Sequence, residues 1–422
     1  MLENLTVQLD ACHALTALQV ADAVEQLVNE SVSAEQKADF LTKLALKGET
    51  VEEIAAFARA LREKSVTPPL DAETRAREIL DVCGTGGDHL GTFNISTTVA
   101  IVCAAAGVTV AKHGNRAITS QAGSADVLEA LGVRIDLPPT EAARSIKEHN
   151  FAFFFAPNYH PAFKHIAPAR KLCAERKQRT IFNFLGPLLN PARPTTQLIG
   201  VPRPDLCEPI AKVAQSLGVR RGMVVSGSVA PLRTYPPFDF EPTNRGAKVR
   251  VLGKEGTSQT LSISDALALA KQRNAVLAEL SPKADPPVCV LVEASKIKRL
   301  EIDSPEKVKR LDELSTIGDN TIAEFYQEKG FSTSVIPTGQ FPVQFASLAD
   351  LLGGDRNANA EIVRRILDGD ERGPKLDAVL LNAGAALFVA GKARSIVDGW
   401  GQAAEVIASG RASAKLLALT AR

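Results

Sequence analysis

The chain has 422 residues, of which 45% are hydrophobic and 23% charged, and its formal net charge is +1. This length supports two or three domains with a sizeable core. The near-zero charge excludes a global field that would draw the chain to nucleic acid or to a membrane, so any anion site must be local. The six cysteines form no C-x-x-C pair, which indicates reduced thiols and no zinc or redox motif.

The N-terminus lacks the features of a targeting signal. Glu3 and Asp10 lie where a signal peptide would have basic residues followed by a long apolar core. The most apolar stretch, residues 99–111, contains Gly107 and Thr109 and is too short to span a bilayer. We therefore expect a cytoplasmic protein with no membrane partner.

Residues 1–77 are predicted to form a small N-terminal helical domain. Apolar residues recur at helical spacing from Leu15 to Leu61. Ser33 begins a capping-box pattern, and Thr50 is a plausible N-cap with acidic residues in the following turn. Helices from about residue 160 to 195 are expected to pack on this domain.

From residue 78 to 422 the sequence predicts a larger α/β domain. Its first half alternates short apolar runs with helical patterns, which favours a mostly parallel sheet with right-handed crossovers. Strands are predicted at residues 79–83, 108–111, 133–136, 151–155, 197–201 and 222–225, and helices at 96–106, 124–131, 139–149 and 205–217.

Residues 228–308 are predicted to form an inserted α+β subdomain. Residues 248–252 and 259–263 alternate in hydrophobicity around a glycine-containing turn, which indicates a hairpin. A helix is predicted at 264–280 and a buried strand at 288–292. The chain is then expected to return to helices, at residues 377–390, 395–409 and 412–420.

Three short motifs point to an anion site. Residues 84–88 (Gly-Thr-Gly-Gly-Asp) follow a predicted strand, and their glycines allow a tight turn that presents backbone N–H groups. Residues 94–97 (Asn-Ile-Ser-Thr) open a helix, whose N-terminus favours phosphate. Residues 112–116 (Lys-His-Gly-Asn-Arg) follow the next strand, where two cations and a third candidate, His113, could balance phosphate charge.

Each motif alone also fits a tight turn, a simple N-cap or a solvated basic loop. Position 89 is His where a dinucleotide fingerprint needs glycine, and the Gly-Lys-Ser/Thr of a P-loop is absent. Ligands of open α/β sheets bind at the carboxyl ends of the strands, where these motifs occur in succession. Together they predict a site for a phosphate-rich anion.

Two further features could complete such a site. The adjacent acidic residues Asp312 and Glu313 could hold Mg²⁺, although exposed acidic pairs are common. Tyr159 and His160, with Arg170 further along, could hold a flat substrate that carries a carboxylate. Packing of the loop explains the two ring residues equally well.

The sequence resembles the anthranilate phosphoribosyltransferase family of tryptophan biosynthesis. The resemblance covers most of the chain outside the insert, and it rests on several motifs that occur in order. These motifs are residues 84–88, 92–97, 112–116, 123–126, 156–161, 180–183, 185–188 and 311–315. The resemblance implies a homodimer that uses Mg²⁺, phosphoribosyl pyrophosphate and anthranilate, and it implies no covalent nucleophile.

The resemblance also implies roles for individual residues. Phosphoribosyl pyrophosphate would contact Gly84, Gly87, Asp88, Thr92, Asn94, Ile95, Ser96, Thr97, Lys112, His113, Gly114, Asn115, Arg116, Ser120 and Ser124. Anthranilate would contact Gly84, Asn115 and Arg170, and magnesium would bind Ser96, Asp312 and Glu313.

The chain departs from the family pattern in two places. Thr119 and Ala122 occupy positions where serine is frequent in the family. The family joins the strand at 223–225 to the acidic pair by a short loop, whereas about eighty residues intervene in this chain. The position of Asp312 and Glu313 is therefore the least secure part of the predicted site.

Two other functions stay open at this stage. A pyrimidine nucleoside phosphorylase has a related architecture and a comparable glycine and lysine phosphate site, but it would not need the acidic pair. A non-enzymatic relative that binds nucleic acid is the second alternative, with Lys296, Lys298 and Arg299 clustered in the insert. Solvated charge runs are more common than nucleic-acid patches, so we expect no nucleic-acid partner.

Overall fold

A computed structural model describes residues 2–117, 121–229, 233–235, 248–252, 258–281, 286–293, 309–327, 330–344 and 346–421. The helices are α1 (Leu2–Asp10), α2 (Ala17–Val28), α3 (Ala34–Lys47), α4 (Val51–Glu63), α5 (Ala72–Ala76), α6 (Ile95–Ala105), α7 (Ser124–Ala130), α8 (Pro139–His149), α9 (Ala156–Tyr159), α10 (Ala167–Glu175), α11 (Phe182–Leu185), α12 (Cys207–Ser216), α13 (Ile263–Gln272), α14 (Leu348–Leu351), α15 (Arg356–Leu367), α16 (Pro374–Val389), α17 (Ile396–Ala408) and α18 (Arg411–Thr420). The strands are β1 (Ile79–Gly84), β2 (Thr109–Gly114), β3 (Phe151–Phe155), β4 (Thr196–Gly200), β5 (Arg221–Val229), β6 (Arg233–Tyr235), β7 (Lys248–Leu252), β8 (Ser258–Ser262), β9 (Ala275–Ser281), β10 (Val288–Glu293), β11 (Lys309–Leu311), β12 (Asn320–Tyr326) and β13 (Gly330–Ile336).

The N-terminal helices begin at well-defined caps. Thr16, Ser33 and Thr50 each form a capping box with the residue three positions later, which confirms the N-caps predicted at Ser33 and Thr50. Each such cap contributes about 1 kcal/mol. The apolar faces of these helices bury Phe40 and Phe57 in a core that also receives side chains from α10. Within the described ranges, no helix combines the length and apolar character needed to cross a bilayer.

The central sheet has the strand order β13-β12-β5-β4-β1-β2-β3, with β11 paired beside β5. Strands β1 to β5 pair in parallel, whereas β12, β13 and β11 pair antiparallel. Helices α6, α16 and α17 share a core with one face, and α12 with the N-terminal helices shares a core with the other. This architecture confirms a small helical domain joined to an α/β domain with a mostly parallel sheet.

A second sheet, with the order β6-β9-β10-β7-β8, is formed by the described part of the insert. Strands β7 and β8 pair antiparallel, which confirms the predicted hairpin, and α13 packs on this sheet around Val251 and Cys289. The sheet also contacts the main body. The Arg250 guanidinium donates to the Gly339 carbonyl over 3.2 Å, and Val288 packs against Gly339. The predicted basic cluster of Lys296, Lys298 and Arg299 lies outside the described residues.

Two sequence predictions about elements are wrong. Residues 133–136 form a bend and not a strand, although Val133 and Ile135 are buried in the core. The helix predicted at 264–280 ends at Gln272, because Asn274 adopts a left-handed conformation with φ of 49°, and the following apolar residues form β9. The helices predicted at 377–390, 395–409 and 412–420 are present as α16, α17 and α18, whereas β12 and β13, which precede them, were not predicted.

Candidate active site

The glycine turn leaves the end of β1 at the carboxyl edge of the sheet. Gly86 and Gly87 have φ of 71° and 87°, a left-handed conformation that favours glycine. The Gly86 N–H donates to the Asp312 carboxylate over 2.8 Å. The turn therefore lies directly against the acidic pair that follows the insert.

The acidic pair reaches this edge through β11. Leu311 pairs with Gly227 of β5, so the next two residues lie across the carboxyl ends of the neighbouring strands. Asn382 of α16 then holds the backbone of Leu314, accepting from its N–H and donating to its carbonyl, each over 2.9 Å. Both ends of the insert are thus fixed by the β5–β11 pair, and the insert does not displace Asp312 from the site.

Three glycines make this approach sterically feasible. They end β1, end β4 and lie within β5, at Gly84, Gly200 and Gly227 respectively. A Cβ atom at Gly84 would overlap the Asp312 carboxylate, and one at Gly200 would overlap the Asp312 backbone carbonyl. A Cβ at Gly227 would lie 2.6 Å from the Glu313 carbonyl oxygen. Sequence analysis missed Gly200 and Gly227, because no local turn signal marks a glycine needed for a distant segment.

Asp88, Asp312 and Glu313 form a carboxylate cluster in which one oxygen of each lies within 4.8 Å of the others. Burial, together with the neighbouring carboxylates, raises the pKa of Asp312 and raises that of Glu313 well above its usual value. In the described part of the structure, one buried oxygen of Asp88 and one of Glu313 accept no hydrogen bond. Clustered oxygen donors with unused lone pairs fit Mg²⁺, which prefers carboxylate oxygens.

The third predicted magnesium ligand, Ser96, lies beside this cluster. Ser96, Asp312 and Glu313 line one small cavity, whose wall also includes Asn382. Lys112 is buried, and its ammonium donates to the Val82 carbonyl over 2.7 Å and to Ser96 Oγ over 3.3 Å. Burial lowers the pKa of Lys112. The structure therefore brings Ser96, Lys112 and the acidic pair together, as the sequence predicts.

The helix start at α6 is available to a ligand. No side chain among the described residues caps this helix, because the Asn94 amide donates to the Ala122 carbonyl and accepts from Asn359. Ile95 is buried in the core, so only its backbone could face a ligand. Thr97 is also buried, and its hydroxyl has no partner among the described residues. Thr92 forms an isolated bridge with Leu352 at the far end of the glycine turn.

His113 does not provide the third cation that the sequence suggested. It is buried with His160, and their Nε2 atoms lie 3.3 Å apart. Its Nδ1 lies 3.1 Å from the Gly186 carbonyl. Burial, followed by the charge of His160, lowers the pKa of His113 to about 3, and burial lowers that of His160 to about 4. Both rings are therefore neutral at physiological pH.

Arg116 is already paired within the protein. Its guanidinium contacts Asp126 over 2.9 Å and Glu129 over 3.0 Å, and hydrogen bonds to these two carboxylates raise its pKa. Ser124 packs at Gly114, which keeps the two segments in contact. Asn115 is exposed next to them. Of the other predicted contacts, Ser120 lies outside the described residues, as does Thr119.

A run of ring contacts connects the basic loop with Arg170. The rings of His113 and His160 lie 5.2 Å apart, and His160 stacks on Phe163 at 5.0 Å. Phe163 meets Phe182 edge-on at 5.7 Å, and the Arg170 guanidinium lies 5.2 Å from the Phe182 ring. Arg170 is half-buried, and burial lowers its pKa, but an arginine keeps its charge at neutral pH.

A glycine turn, an uncapped helix start and a carboxylate cluster at one sheet edge define a class of metal-assisted enzymes that act on phosphorylated ligands. Family models agree with this class. Residues 76–233 and 288–413 match the model of the glycosyl transferase family a/b domain, and residues 6–65 match its helical bundle domain. Residues 245–301, within the insert, match the N-terminal domain of translation initiation factor IF-3.

Individual relatives identify one family within this class of enzymes. The chain is 39% identical to an anthranilate phosphoribosyltransferase of Petrotoga mobilis over 94% of this chain and 90% of that protein. It is 36% identical to the same enzyme of Geobacter sp. over 96% and 94% of the two chains. The chain therefore belongs to the anthranilate phosphoribosyltransferase family.

Solved structures show the same fold. Anthranilate phosphoribosyltransferase from Thermus thermophilus is 33% identical, with a TM-score of 0.72 over 99% of this chain and 98% of that one. The enzyme of Saccharomyces cerevisiae in complex with PRPP and Mg has a TM-score of 0.71 over 99% and 96% of the two chains. It is 22% identical, so this second likeness supports the fold alone.

Proposed function

We propose that this chain transfers the phosphoribosyl group of phosphoribosyl pyrophosphate to the amine of anthranilate in tryptophan biosynthesis. The bond from ribose C1 to pyrophosphate breaks, a C–N bond forms, and the amine releases a proton. The observation that carries the proposal is that the glycine turn and the distant acidic pair meet at one sheet edge in a chain of this family. The similarity to anthranilate phosphoribosyltransferases favours the transferase over the nucleoside phosphorylase and over a nucleic-acid-binding protein.

The chemistry requires positioning and charge stabilisation and does not require a covalent nucleophile. The aryl amine of anthranilate is neutral and already nucleophilic. The barrier lies in separating charge between an oxocarbenium-like ribose and the departing pyrophosphate. Backbone N–H groups of the glycine turn and of the α6 start would bind the phosphate oxygens, and the buried ammonium of Lys112 adds positive potential beside Ser96.

Magnesium fits the carboxylate cluster. Asp312 and Glu313, with Asp88 beside them and Ser96 in the same cavity wall, would hold the ion. The ion would neutralise charge on the leaving pyrophosphate. Asp88 was predicted from the family resemblance to contact phosphoribosyl pyrophosphate, and its place in the cluster supports a role next to the metal.

The acceptor would bind beside Arg170. Arg170 offers a charged guanidinium at the end of an aromatic run, which suits a flat ring with a carboxylate. Gly84 and Asn115 lie at the ends of β1 and β2, strands that pair in parallel. These contacts follow from the family resemblance and are part of the proposal.

A cytoplasmic homodimer is the proposed form of the enzyme. The three most exposed large apolar side chains of the described residues all lie on the N-terminal helices. They are Leu18, Val7 and Leu46, with 80%, 70% and 68% of their surface accessible. Exposed apolar side chains concentrated in one small domain suit an interface with a second copy.

The test is the loss of anthranilate fluorescence when the purified protein, phosphoribosyl pyrophosphate and Mg²⁺ are mixed. We expect a decrease that requires all three and that yields pyrophosphate in equal amount. Phosphorolysis of thymidine or uridine in the absence of this transfer would instead support a nucleoside phosphorylase. Salt-dependent DNA binding without turnover would support a binding protein.

A further inference from the structure

The cations that the sequence assigns to the phosphate site either are neutral or already have partners within the protein. Lys112 is buried and donates to Val82 and Ser96. His113 is neutral, because burial lowers its pKa to about 3. Arg116 is paired with two carboxylates. The pyrophosphate group of the proposed substrate carries several negative charges, and three protein carboxylates lie next to its expected position.

Arg179 is an unassigned cation at the glycine turn. A Cβ atom built on Gly87 would lie 3.9 Å from Nη2 of Arg179, so the guanidinium lies close to the turn. Arg179 is exposed, and it makes no ion pair with any carboxylate in the described part of the chain. It lies between α10 and α11, close in sequence to Phe182, which stacks with Arg170.

The segment that carries Arg179 is held in place by its own contacts. The Thr180 N–H donates to the Asn183 side chain over 2.9 Å, and Thr180 is buried. Phe182 is buried between Phe163 and Arg170. A long arginine side chain that projects from such a segment loses less freedom on binding than one on a free loop.

We propose that Arg179 binds the pyrophosphate group of phosphoribosyl pyrophosphate and stabilises it as it leaves. A planar guanidinium presents paired N–H donors that match two phosphate oxygens in a fixed bidentate geometry, whereas an ammonium acts as a point charge. The carboxylate cluster would hold the metal, and Arg179 would add a second positive charge at the same turn to neutralise the leaving group. This role rests on the proposed function, and it adds a residue that neither the sequence motifs nor the family resemblance provided.

The test compares Arg179→Ala, Arg179→Lys and a matched control, Arg176→Ala, which removes another exposed arginine of the same segment. We expect Arg179→Ala to lower kcat/KM for phosphoribosyl pyrophosphate by about tenfold to a hundredfold. The KM for anthranilate should change less than twofold. Arg179→Lys should recover part of the loss, and Arg176→Ala should behave as the unchanged protein.

A binding measurement separates this role from the overall activity. Calorimetric titration with inorganic pyrophosphate in the presence of Mg²⁺ should show weaker binding to Arg179→Ala by a similar factor, whereas binding of ribose 5-phosphate should stay the same. Equal pyrophosphate affinity for the unchanged protein and the variant would overturn the proposal, and so would a loss confined to ribose 5-phosphate or to anthranilate. If the unchanged protein binds pyrophosphate but transfers nothing to anthranilate, the proposed function fails and the Arg179 site still stands.

Discussion

Burial sets the charge of the residues at the centre of the site. Asp312 and Glu313 are carboxylates whose pKa is raised, because desolvation opposes their ionised form and neighbouring carboxylates add repulsion. Burial also lowers the pKa of Lys112, because desolvation opposes its charged form. Residues with strongly shifted pKa values cluster at functional sites.

Glu313→Gln tests the metal assignment. The amide keeps the shape of the side chain but removes the charge, so we expect the Mg²⁺ concentration for half-maximal rate to rise by at least about tenfold. The melting temperature should not fall, because the variant no longer buries a carboxylate that resists ionisation. Initial rates measured across a MgCl₂ series check the first expectation, and thermal unfolding checks the second.

Glu361→Gln is the matched control, because Glu361 is exposed on α15. It should leave the magnesium dependence unchanged. If Glu313→Gln showed the same dependence as the unchanged protein at both limiting and saturating Mg²⁺, Glu313 would not be a ligand.

The buried histidine pair predicts a loss of stability in mild acid. The folded-state pKa values, about 3 for His113 and about 4 for His160, lie below the unfolded value of about 6.5. The stabilisation from keeping these rings neutral is present above pH 6.5 and is lost as the pH falls toward the folded values. The free energy of unfolding should decrease by up to about 1.4 kcal/mol per pH unit for each ring.

Urea unfolding between pH 6.5 and 4.5 measures this slope. His160→Gln should make the slope shallower, whatever its effect on stability at neutral pH, whereas the exposed His13→Gln should not. Parallel slopes in all three proteins would mean that carboxylates alone govern acid unfolding.

At the scale of elements, the two ends of the insert lie next to the carboxylate cluster. Its sheet contacts the main body at Gly339, through Arg250 and Val288. The neighbouring Thr338 hydroxyl donates to the Gly318 carbonyl, in the segment that follows the acidic pair. A short series of contacts therefore links the insert sheet to the segment that carries Glu313.

Gly339→Val tests this connection. A Cβ at this position would lie 2.6 Å from Val288, so the insert sheet and the segment after β13 must separate or shift, at a cost of about 1–3 kcal/mol. We expect the Mg²⁺ concentration for half-maximal rate to rise several-fold, with little change in the KM for anthranilate. The exposed Val335→Ala on β13 is the control. A variant that loses stability but keeps the magnesium dependence would show that the insert and the site are independent.

Prediction of elements from sequence succeeded where the pattern is local. The capping box at Ser33, the N-cap at Thr50 and the hairpin of β7 and β8 depend on neighbouring residues, and the sequence predicts all three. Strand β13 was missed because its exposed edge offers little apolar alternation. The bend at 133–136 resembles a strand in sequence, because the apolar residues Val133 and Ile135 alternate with charged ones. Both side chains are buried in the core without strand pairing.

At the scale of the whole molecule, exposed apolar side chains on the N-terminal helices predict the assembly. Leu18→Asp should weaken the proposed dimer by tenfold or more, since a charge would be buried in the proposed interface. Sedimentation equilibrium measures the dissociation constant. Leu417→Asp, which changes a similarly exposed leucine on α18, should leave it unaffected. A monomeric unchanged protein, or equal weakening by both substitutions, would exclude this interface.

The sequence by itself determined the strand–helix alternation, the turn at 84–88 and the class of ligand, because these depend on residues close together in the chain. Only the tertiary structure decided which charges are free. It pairs Arg116 with Asp126 and Glu129, neutralises His113 and leaves Arg179 over the turn. It also brings Asp312 to Gly86 through β11, over a path that runs through the whole insert. Burial and pairing arise from segments far apart in sequence, and no local pattern encodes them.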